Sequence, residues 1–170
     1  TIVRGLLKLS ARAKPEDLRA WAENIKVSFL GTAPIDKETK VRFEETFGIA
    51  LLENFALSES TFFTSETKAN IVSRVEGSVG EVLPYTEVKL MPVSDDDPHQ
   101  LEICIKSPYM FLGYLEADGK IDQHVMADGY FPTGDLGHMN EENMLVVDGR
   151  KKDIIKAGGY FVSLREIEVL

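Results

Sequence analysis

Basic residues are scarce in this 170-residue chain, where 19 Lys and Arg stand against 28 Asp and Glu for a formal net charge of −9. A surface for nucleic acid or an anionic membrane needs a basic stripe, which these residues do not supply. No run approaches the roughly 18 apolar residues of a membrane-spanning helix, and no charged-then-apolar leader opens the chain. We therefore expect small-molecule partners, no membrane span and a cytoplasmic location.

Cysteine is limited to Cys104, which lies in the alternating apolar run 101–105. That position is typical of a buried structural thiol, with a reactive thiol as the alternative. The 44% of hydrophobic residues is enough to bury a core. Because the chain opens on Thr1 and an apolar run continues to Leu170, we expect both termini to be cuts within a longer parent polypeptide.

The first half has the pattern of an α/β unit. Pro15 followed by two acids predicts the start of a helix, and Asp36 and Gly48 predict the cap and the stop of another. The predicted order is a helix over 15–24, a strand over 27–30, a helix over 36–47 and a strand over 49–54. Strand, helix and strand in this order are most simply closed as a right-handed crossover between parallel strands.

The second half changes to short alternating segments separated by turn residues, which is typical of antiparallel sheet. Strands are predicted over 86–90, 101–106 and 144–147. The acidic insert 94–98 predicts a hairpin loop, with a metal site as the alternative, and 140–143 predicts a hairpin turn.

These patterns predict an α/β fold with three parts. Residues 1–74 would form an α/β unit with parallel strands, residues 75–149 a small antiparallel β subdomain, and residues 150–170 a further part after the break in the apolar pattern at 149–152.

Asp135 and Arg150 carry the clearest chemical pattern, since each follows a glycine and they lie fifteen positions apart. We expect Asp135 in a tight loop, where its carboxylate suits two hydrogen bonds from the hydroxyls of a sugar. Arg150 offers a planar donor fork for a phosphate or a ribose oxygen. The alternative, on spacing alone, is that both are corner residues of a hairpin.

Longer motifs accompany these two residues in a fixed order. They are 31–34 (Gly-Thr-Ala-Pro), 77–80 (Gly-Ser-Val-Gly, a predicted turn) with 83–84, 109–114 ending in Gly-Tyr, 131–135 (Phe-Pro-Thr-Gly-Asp), 149–162 and 166–168. Together they resemble the acyl-CoA synthetase branch of the adenylate-forming (ANL) superfamily, whose adenine loop is Gly-Gly-Ala-Pro. The resemblance implies an AMP-forming ligase that uses ATP, Mg²⁺ and coenzyme A.

The resemblance also assigns roles to single residues. Asp135 would bind the ribose hydroxyls of ATP, Arg150 the ribose and phosphate side, and Glu59 would be a catalytic residue that holds Mg²⁺. The other implied nucleotide ligands are Gly31, Thr32, Ala33, Pro34, Asn54, Phe55, Ala56 and Ser58. The segment 54–59 departs from the family's Tyr-Gly-x-Thr-Glu, because the aromatic residue lacks a hydroxyl and an alanine adds a methyl group near the ligand.

The resemblance implies that 1–74 are the end of the α/β subdomain of a large N-terminal domain and that 75–149 are an antiparallel β subdomain. It also implies that 150–170 are a hinge and the beginning of a small C-terminal α+β domain. Lys152 lies at the position around which the family's C-terminal domain rotates, with a plain solvated linker as the alternative. Lys156, Gly158 and Gly159 would follow it as cofactor-binding residues, the glycines in the loop that lines the channel for coenzyme A. Of the histidines, His138 is expected on an exposed strand, and His99 and His124 are given no role.

The implied reaction is attack by a small-molecule carboxylate on the α-phosphate of ATP, followed by transfer of the acyl group to coenzyme A. We expect the isolated chain to be inactive, because the family's phosphate loop and adenylation lysine would lie before Thr1 and after Leu170. Two alternatives stay open: a parent that loads an acid onto a carrier protein, and a noncatalytic nucleotide-binding or interaction module.

Overall fold

A computed structural model of the chain describes residues 2–31, 35–69, 71–75, 77–94, 97–157 and 160–163. The helices of this part are α1 (Ile2–Ser10), α2 (Pro15–Ala22) and α3 (Lys37–Phe47). The strands are β1 (Ser28–Leu30), β2 (Leu51–Ala56), β3 (Phe62–Ser65), β4 (Ser78–Val82), β5 (Glu87–Ser94), β6 (Asp97–Lys106), β7 (Tyr114–Leu115), β8 (Ile121–Asp122), β9 (Phe131–Met139), β10 (Met144–Arg150), β11 (Ile154–Ala157) and β12 (Tyr160–Ser163). Single 3₁₀ turns occupy Ile71–Ser73 and Lys151–Asp153.

Local capping chemistry sets the start of α2 and both ends of α3 where the sequence predicts them. The sequence did not predict α1, and α2 ends at Ala22 rather than near residue 24. Asp36 caps α3, since the backbone N–H of Thr39 donates to Asp36 Oδ1 at 2.7 Å. Gly48 ends the same helix in a left-handed conformation with φ of 67°, and its N–H donates to the carbonyl of Glu44 at 2.8 Å. Pro15 opens α2 at a position where a missing N–H costs nothing. Within the described ranges, no helix is both long and apolar enough to cross a membrane.

One eight-stranded sheet, in the order β1-β2-β3-β4-β10-β9-β6-β5, organises the chain. β1 and β2 pair in parallel around α3, which confirms the predicted α/β unit. The remaining neighbours in this sheet pair antiparallel, as predicted for the second half. The β5–β6 pair and the turn at 140–143 confirm two predicted hairpins, although Asp95 and Asp96 lie outside the described residues.

β4 corrects the prediction of a turn at 77–80. Gly80 has φ of 92°, and a Cβ there would lie 2.0 Å from the carbonyl carbon of Ser65. The glycine therefore lets the backbone of β4 approach the end of β3 closely instead of turning the chain away. This pairing of β3 with β4 extends the sheet of the α/β unit into the antiparallel half. The division into parts at 74 and 149 stays a prediction.

Apolar side chains form two separate clusters. The first packs α1 and α3 on the parallel strands, with Val3, Leu7, Phe43, Phe47, Ile49 and Leu51 buried in it. The second lies under the antiparallel strands, with Phe63, Ile103, Ile105, Phe131 and Leu145 buried in it. Strand β2 contributes to both, because Leu51 belongs to the first cluster and Phe55 packs against the second. The nucleotide segment predicted at the end of β2 therefore leaves the sheet between the two cores.

A buried ionic network, which the sequence did not reveal, ties α3 to the sheet. Lys40 Nζ donates to Glu53 Oε1 at 2.7 Å and to Glu66 Oε2 at 2.9 Å. The backbone N–H of Glu53 also donates to Glu66 Oε2 at 2.8 Å. Burial raises the pKa of Glu53, and the charge of Glu66 adds to the rise, against the opposing effect of Lys40. The network holds the middle of β2 to α3, one residue before Asn54.

Replacing Lys40 by methionine is expected to lower the free energy of unfolding by about 3 to 5 kcal/mol, because two buried carboxylates lose their shared cation. Equilibrium denaturation of the purified protein measures the loss. Lys37→Met is the matched control, since Lys37 lies exposed on the same helix. Equal effects of the two substitutions would show that the network contributes little to stability.

Candidate functional site

A cleft of about 720 Å³ opens where the end of β2, the start of β9 and the end of β10 meet. Its walls are 56–59, 131–134 and 150–151, together with Glu102, Tyr114 and His124. The cleft thus combines Ala56, Ser58, Glu59 and Arg150 from the predicted site with Glu102 and His124, to which the sequence analysis gave no role.

Asp135 and Arg150 meet directly beside this cleft. They are cross-strand partners on β9 and β10, and Arg150 Nε donates to Asp135 Oδ1 at 2.6 Å. Asp135 is only 2% exposed, and its Oδ2 is buried without a hydrogen-bond partner within the described part of the chain. A buried acceptor that lacks a donor is costly unless something supplies one, such as the hydroxyl of a ligand.

The prediction of a tight loop at Asp135 is wrong, because β9 runs through this residue. Between two of the residue pairs that join β9 to β6, the chain advances four residues along β9 but only two along β6. The extra residues form a bulge around Gly134, whose φ of 74° favours glycine. The bulge gives the local irregularity that the Gly-Asp dipeptide indicates, while the strand holds Asp135 in the sheet.

Burial raises the pKa of Asp135 to about 6, against the opposing charge of Arg150. Glu102 and Glu59 add to the rise, because both bring further negative charge to the same cleft. The carboxyl group therefore changes its protonation state just below neutral pH. The ionised form only accepts hydrogen bonds, whereas the protonated form turns one of the two oxygens into a donor.

Glu102 is a site residue that the sequence analysis missed. Its Oε1 accepts a hydrogen bond from the backbone N–H of Gly134 at 3.1 Å, and its Oε2 accepts one from Lys151 Nζ at 2.7 Å. It is 8% exposed and joins β6 to the bulge of β9 and to the predicted hinge. The available signal was the position two residues before Cys104 on the same face of a strand. Cys104 is itself buried, as predicted.

Glu59 lies at the cleft with two contacts from one distant segment. Tyr114 donates its hydroxyl to Glu59 Oε1 at 2.6 Å, and the backbone N–H of Phe111 donates to the Glu59 carbonyl at 2.7 Å. The hydrogen bond to Glu59 raises the pKa of Tyr114 to about 12. His124 also lines the cleft, although the sequence gave it no role.

Magnesium fits Glu59 only in the company of a nucleotide. The described residues contain no cluster of three His, Cys, Asp or Glu that could hold a metal ion. A single carboxylate suits Mg²⁺ when phosphate oxygens and water supply the other ligands. The role of Glu59 as a metal ligand stays a prediction.

The two predicted adenine-binding segments lie side by side. Leu30 pairs with Glu53 in the parallel ladder, so Gly31 and Asn54 follow at the same edge. A Cβ on Gly31 would lie 2.7 Å from Asn54 Oδ1, which is buried without a partner in the described ranges. A larger residue at position 31 would therefore push the Asn54 side chain aside. Thr32, Ala33 and Pro34 lie outside the described residues.

Phe55 packs into the second core, with its ring centroid 4.6 Å from that of Phe63. Its predicted stacking on adenine stays a prediction, and this contact does not favour it. Lys152 is exposed in the 3₁₀ turn that follows β10, where a hinge was predicted. The backbone of Lys156 lies in β11, whereas Gly158 and Gly159 lie outside the described residues.

The fold is that of an adenylate-forming enzyme, and comparison with known proteins gives the family. The model of the AMP-binding enzyme family matches residues 1–115, and the chain belongs to this family. The resemblance to its acyl-CoA synthetase branch is confirmed by relatives that align beyond this range, over the region of Asp135 and Arg150.

Two curated relatives illustrate the similarity. The chain is 32% identical to malonate–CoA ligase of Arabidopsis thaliana over 148 residues, which cover 86% of this chain and 24% of the relative. It is 34% identical to a long-chain-fatty-acid–CoA ligase of Bacillus subtilis over 174 aligned residues, which cover 99% of this chain and 30% of the relative. The chain thus spans about a quarter to a third of the length of these proteins.

Solved structures agree with the fold. ATP-bound MatB from Rhodopseudomonas palustris superposes with a TM-score of 0.70 and 27% identity, covering 98% of this chain and 37% of that chain. A malonyl-CoA ligase complex with methylmalonyl-CoA and AMP superposes with a TM-score of 0.67 and 27% identity, covering 96% of this chain and 35% of that chain.

Asp135→Asn tests the burial of the carboxyl group through pH. The folded state keeps a proton on Asp135 to about pH 6 and the unfolded state only to about 3.8, so the wild-type contribution to stability falls as pH rises through this window. Asparagine has no such dependence. Denaturation is measured at pH 4.5 and pH 7. The free energy of unfolding of Asp135→Asn is expected to be higher, relative to that of wild type, at pH 7 than at pH 4.5.

The control is Asp17→Asn, which removes an exposed carboxylate from the first turn of α2. Its stability relative to wild type is measured at the same two pH values. A stability difference for Asp135→Asn that changes no more between pH 4.5 and pH 7 than that of Asp17→Asn would contradict the raised pKa.

Proposed function

We propose that this chain supplies the nucleotide-binding part of an ATP-dependent acid–coenzyme A ligase, which activates a carboxylate as its acyl-AMP. The observation that carries the proposal is the Asp135–Arg150 pair beside the cleft that Glu59 borders. This arrangement suits a ribose and a polyphosphate on adjacent sides of one ligand. The names of the relatives, malonate–CoA ligase and long-chain-fatty-acid–CoA ligase, support a carboxylic acid as substrate and coenzyme A as acceptor.

Asp135 and Arg150 would hold the sugar of ATP. Asp135 Oδ2, which has no hydrogen-bond partner among the described residues, would accept a hydrogen bond from a ribose hydroxyl, while Oδ1 would stay paired with Arg150 Nε. The terminal guanidinium nitrogens of Arg150 can then donate toward ribose or phosphate oxygens. Gly31 and Asn54 would border the adenine at the edge of the parallel strands.

In the proposed reaction, a carboxylate oxygen of the acid attacks the α-phosphorus while the bond to the bridging oxygen of pyrophosphate breaks. The thiol sulfur of coenzyme A then attacks the acyl carbon, loses its proton and displaces AMP. Mg²⁺ bound with ATP would neutralise charge on the phosphates. The residues of this chain would contribute by orientation and charge: Ser58 would offer a hydroxyl toward the α-phosphate, and Glu59 would hold the Mg²⁺.

The three predicted parts of the chain would have different roles in this reaction. Residues 1–74 and 75–149 would form the nucleotide-binding body, and 150–170 would begin a domain that rotates about Lys152. The exposure of Lys152 supports a hinge there, because its side chain is not anchored in a core. Lys156, Gly158 and Gly159 would then face coenzyme A after rotation. The cytoplasm is the proposed compartment.

The full-length protein with ATP, Mg²⁺, coenzyme A and a panel of carboxylic acids tests the proposal. AMP and pyrophosphate are expected only when an acid is present, with the acyl-coenzyme A as product. Asp135→Ala should lower kcat/KM for ATP about 100-fold, because charge-assisted hydrogen bonds to the ribose are lost. Asp148→Asn, which changes an exposed carboxylate paired with His138 on the same two strands, is the control.

Other outcomes of this experiment separate the alternatives. Acyl transfer to a carrier protein, with none to coenzyme A, would replace the proposed acceptor. Nucleotide binding without acid-dependent AMP formation would contradict the enzyme assignment and indicate a noncatalytic module.

The isolated 170-residue chain is expected to show no acid-dependent exchange of pyrophosphate into ATP. The family's phosphate loop and adenylation lysine are expected outside these residues, and the chain spans 30% or less of the two curated relatives. A pyrophosphate exchange assay on the purified chain, beside the full-length protein, measures this. Exchange by the chain alone would show that its residues suffice for adenylation.

A further inference from the structure

The segment 109–114, which the proposed reaction leaves without a task, docks on Glu59. Its two contacts with that residue differ in kind. The backbone N–H of Phe111 fixes the carbonyl of Glu59, and the hydroxyl of Tyr114 fixes its carboxylate. Fifty-five positions of sequence separate Tyr114 from Glu59, so only the tertiary fold brings them together.

The ring of Tyr114 is held in place although it is 41% exposed. Its centroid lies 4.8 Å from that of Phe111 in an edge-to-face contact. Phe111 in turn packs edge-to-face against Phe131, which is 3% exposed in the second core. This chain of rings fixes the direction in which the Tyr114 hydroxyl points.

The hairpin that carries Tyr114 is also constrained at its base. Tyr114 pairs with Asp122 across β7 and β8. Gly113 precedes it with φ of 136°, and a Cβ there would lie 2.5 Å from Ile121 Cγ2 and 2.6 Å from the carbonyl oxygen of Asp122. The Gly-Tyr dipeptide is therefore needed as a unit: glycine permits the close approach, and tyrosine reaches the cleft.

A glutamate that must hold a cation loses rotamer freedom when it does so. An existing hydrogen bond to one carboxylate oxygen reduces that loss and leaves the other oxygen available. We propose that Tyr114 is a positioning residue, whose hydroxyl orients the Glu59 carboxylate for the divalent cation that accompanies the nucleotide. This inference rests on the proposed function, since that function places the cation at Glu59.

Tyr114→Phe removes the hydroxyl and keeps the ring contacts. In the full-length protein, a Mg²⁺ titration of the binding of a fluorescent ATP analogue is expected to give a roughly tenfold weaker apparent affinity for Mg²⁺, the size typical of one lost hydrogen bond to a charged acceptor. Binding of the analogue at saturating Mg²⁺ should change little. Tyr130→Phe is the matched control, because it removes a hydroxyl that donates to Glu87 at 2.9 Å outside the cleft.

A double-mutant cycle with Glu59→Gln separates positioning from simple anchoring of the hairpin. If Tyr114 acts through the Glu59 carboxylate, Tyr114→Phe should weaken Mg²⁺ affinity far less in the Glu59→Gln background than in wild type. Equal effects in both backgrounds, or a loss of thermal stability with unchanged Mg²⁺ dependence, would overturn the inference.

Binding and turnover keep this inference distinct from the proposed function. Mg²⁺-dependent nucleotide binding that responds to Tyr114→Phe, without acid-dependent AMP formation, supports the positioning role and contradicts the ligase. Acid-dependent AMP formation with a Mg²⁺ dependence that Tyr114→Phe leaves unchanged supports the ligase and contradicts the positioning role. Absence of Mg²⁺-dependent nucleotide binding in the unsubstituted protein overturns both.

Discussion

The ion pair between Asp135 and Arg150 joins β9 to β10 where the sheet meets the cleft, and the proposed chemistry depends on it. It places one carboxylate oxygen on the arginine and leaves the other buried without a partner in the described residues. A buried acceptor of this kind is costly in the absence of a ligand. The same cost favours a ligand that brings hydroxyl donors, which is why the pair suits a ribose.

Further contacts hold the strands that form the walls of the cleft. Glu102 holds the bulge of β9 through Gly134 and holds Lys151 beside the last residue of β10. On the opposite wall, the buried network of Lys40 fixes β2 just before the nucleotide segment begins. Two ionic networks thus anchor the two walls of the cleft to different parts of the sheet.

Much of the fold followed from local sequence patterns. The cap at Asp36, the stop at Gly48 and the α/β order were predicted because helix ends and strand periodicity depend on neighbours in sequence. Strand β9 was not predicted, because Gly134-Asp135 has the composition of a turn. This dipeptide becomes a bulge only when β6 and β10 pair with β9 on its two sides. Asp135 and Arg150 were identified by motif, whereas the contact between them required the register of these strands.

The sequence by itself determined the start of α2, both ends of α3, the parallel and antiparallel halves and the motifs that identify the family, since each of these is a property of consecutive residues. Only the tertiary structure decided that Asp135 is buried, that Glu102 reaches the hinge and that Tyr114 reaches Glu59. The direction of a side chain and its distance from water depend on strand register and packing between distant segments. Side-chain direction and burial are therefore defined only once the sheet has formed.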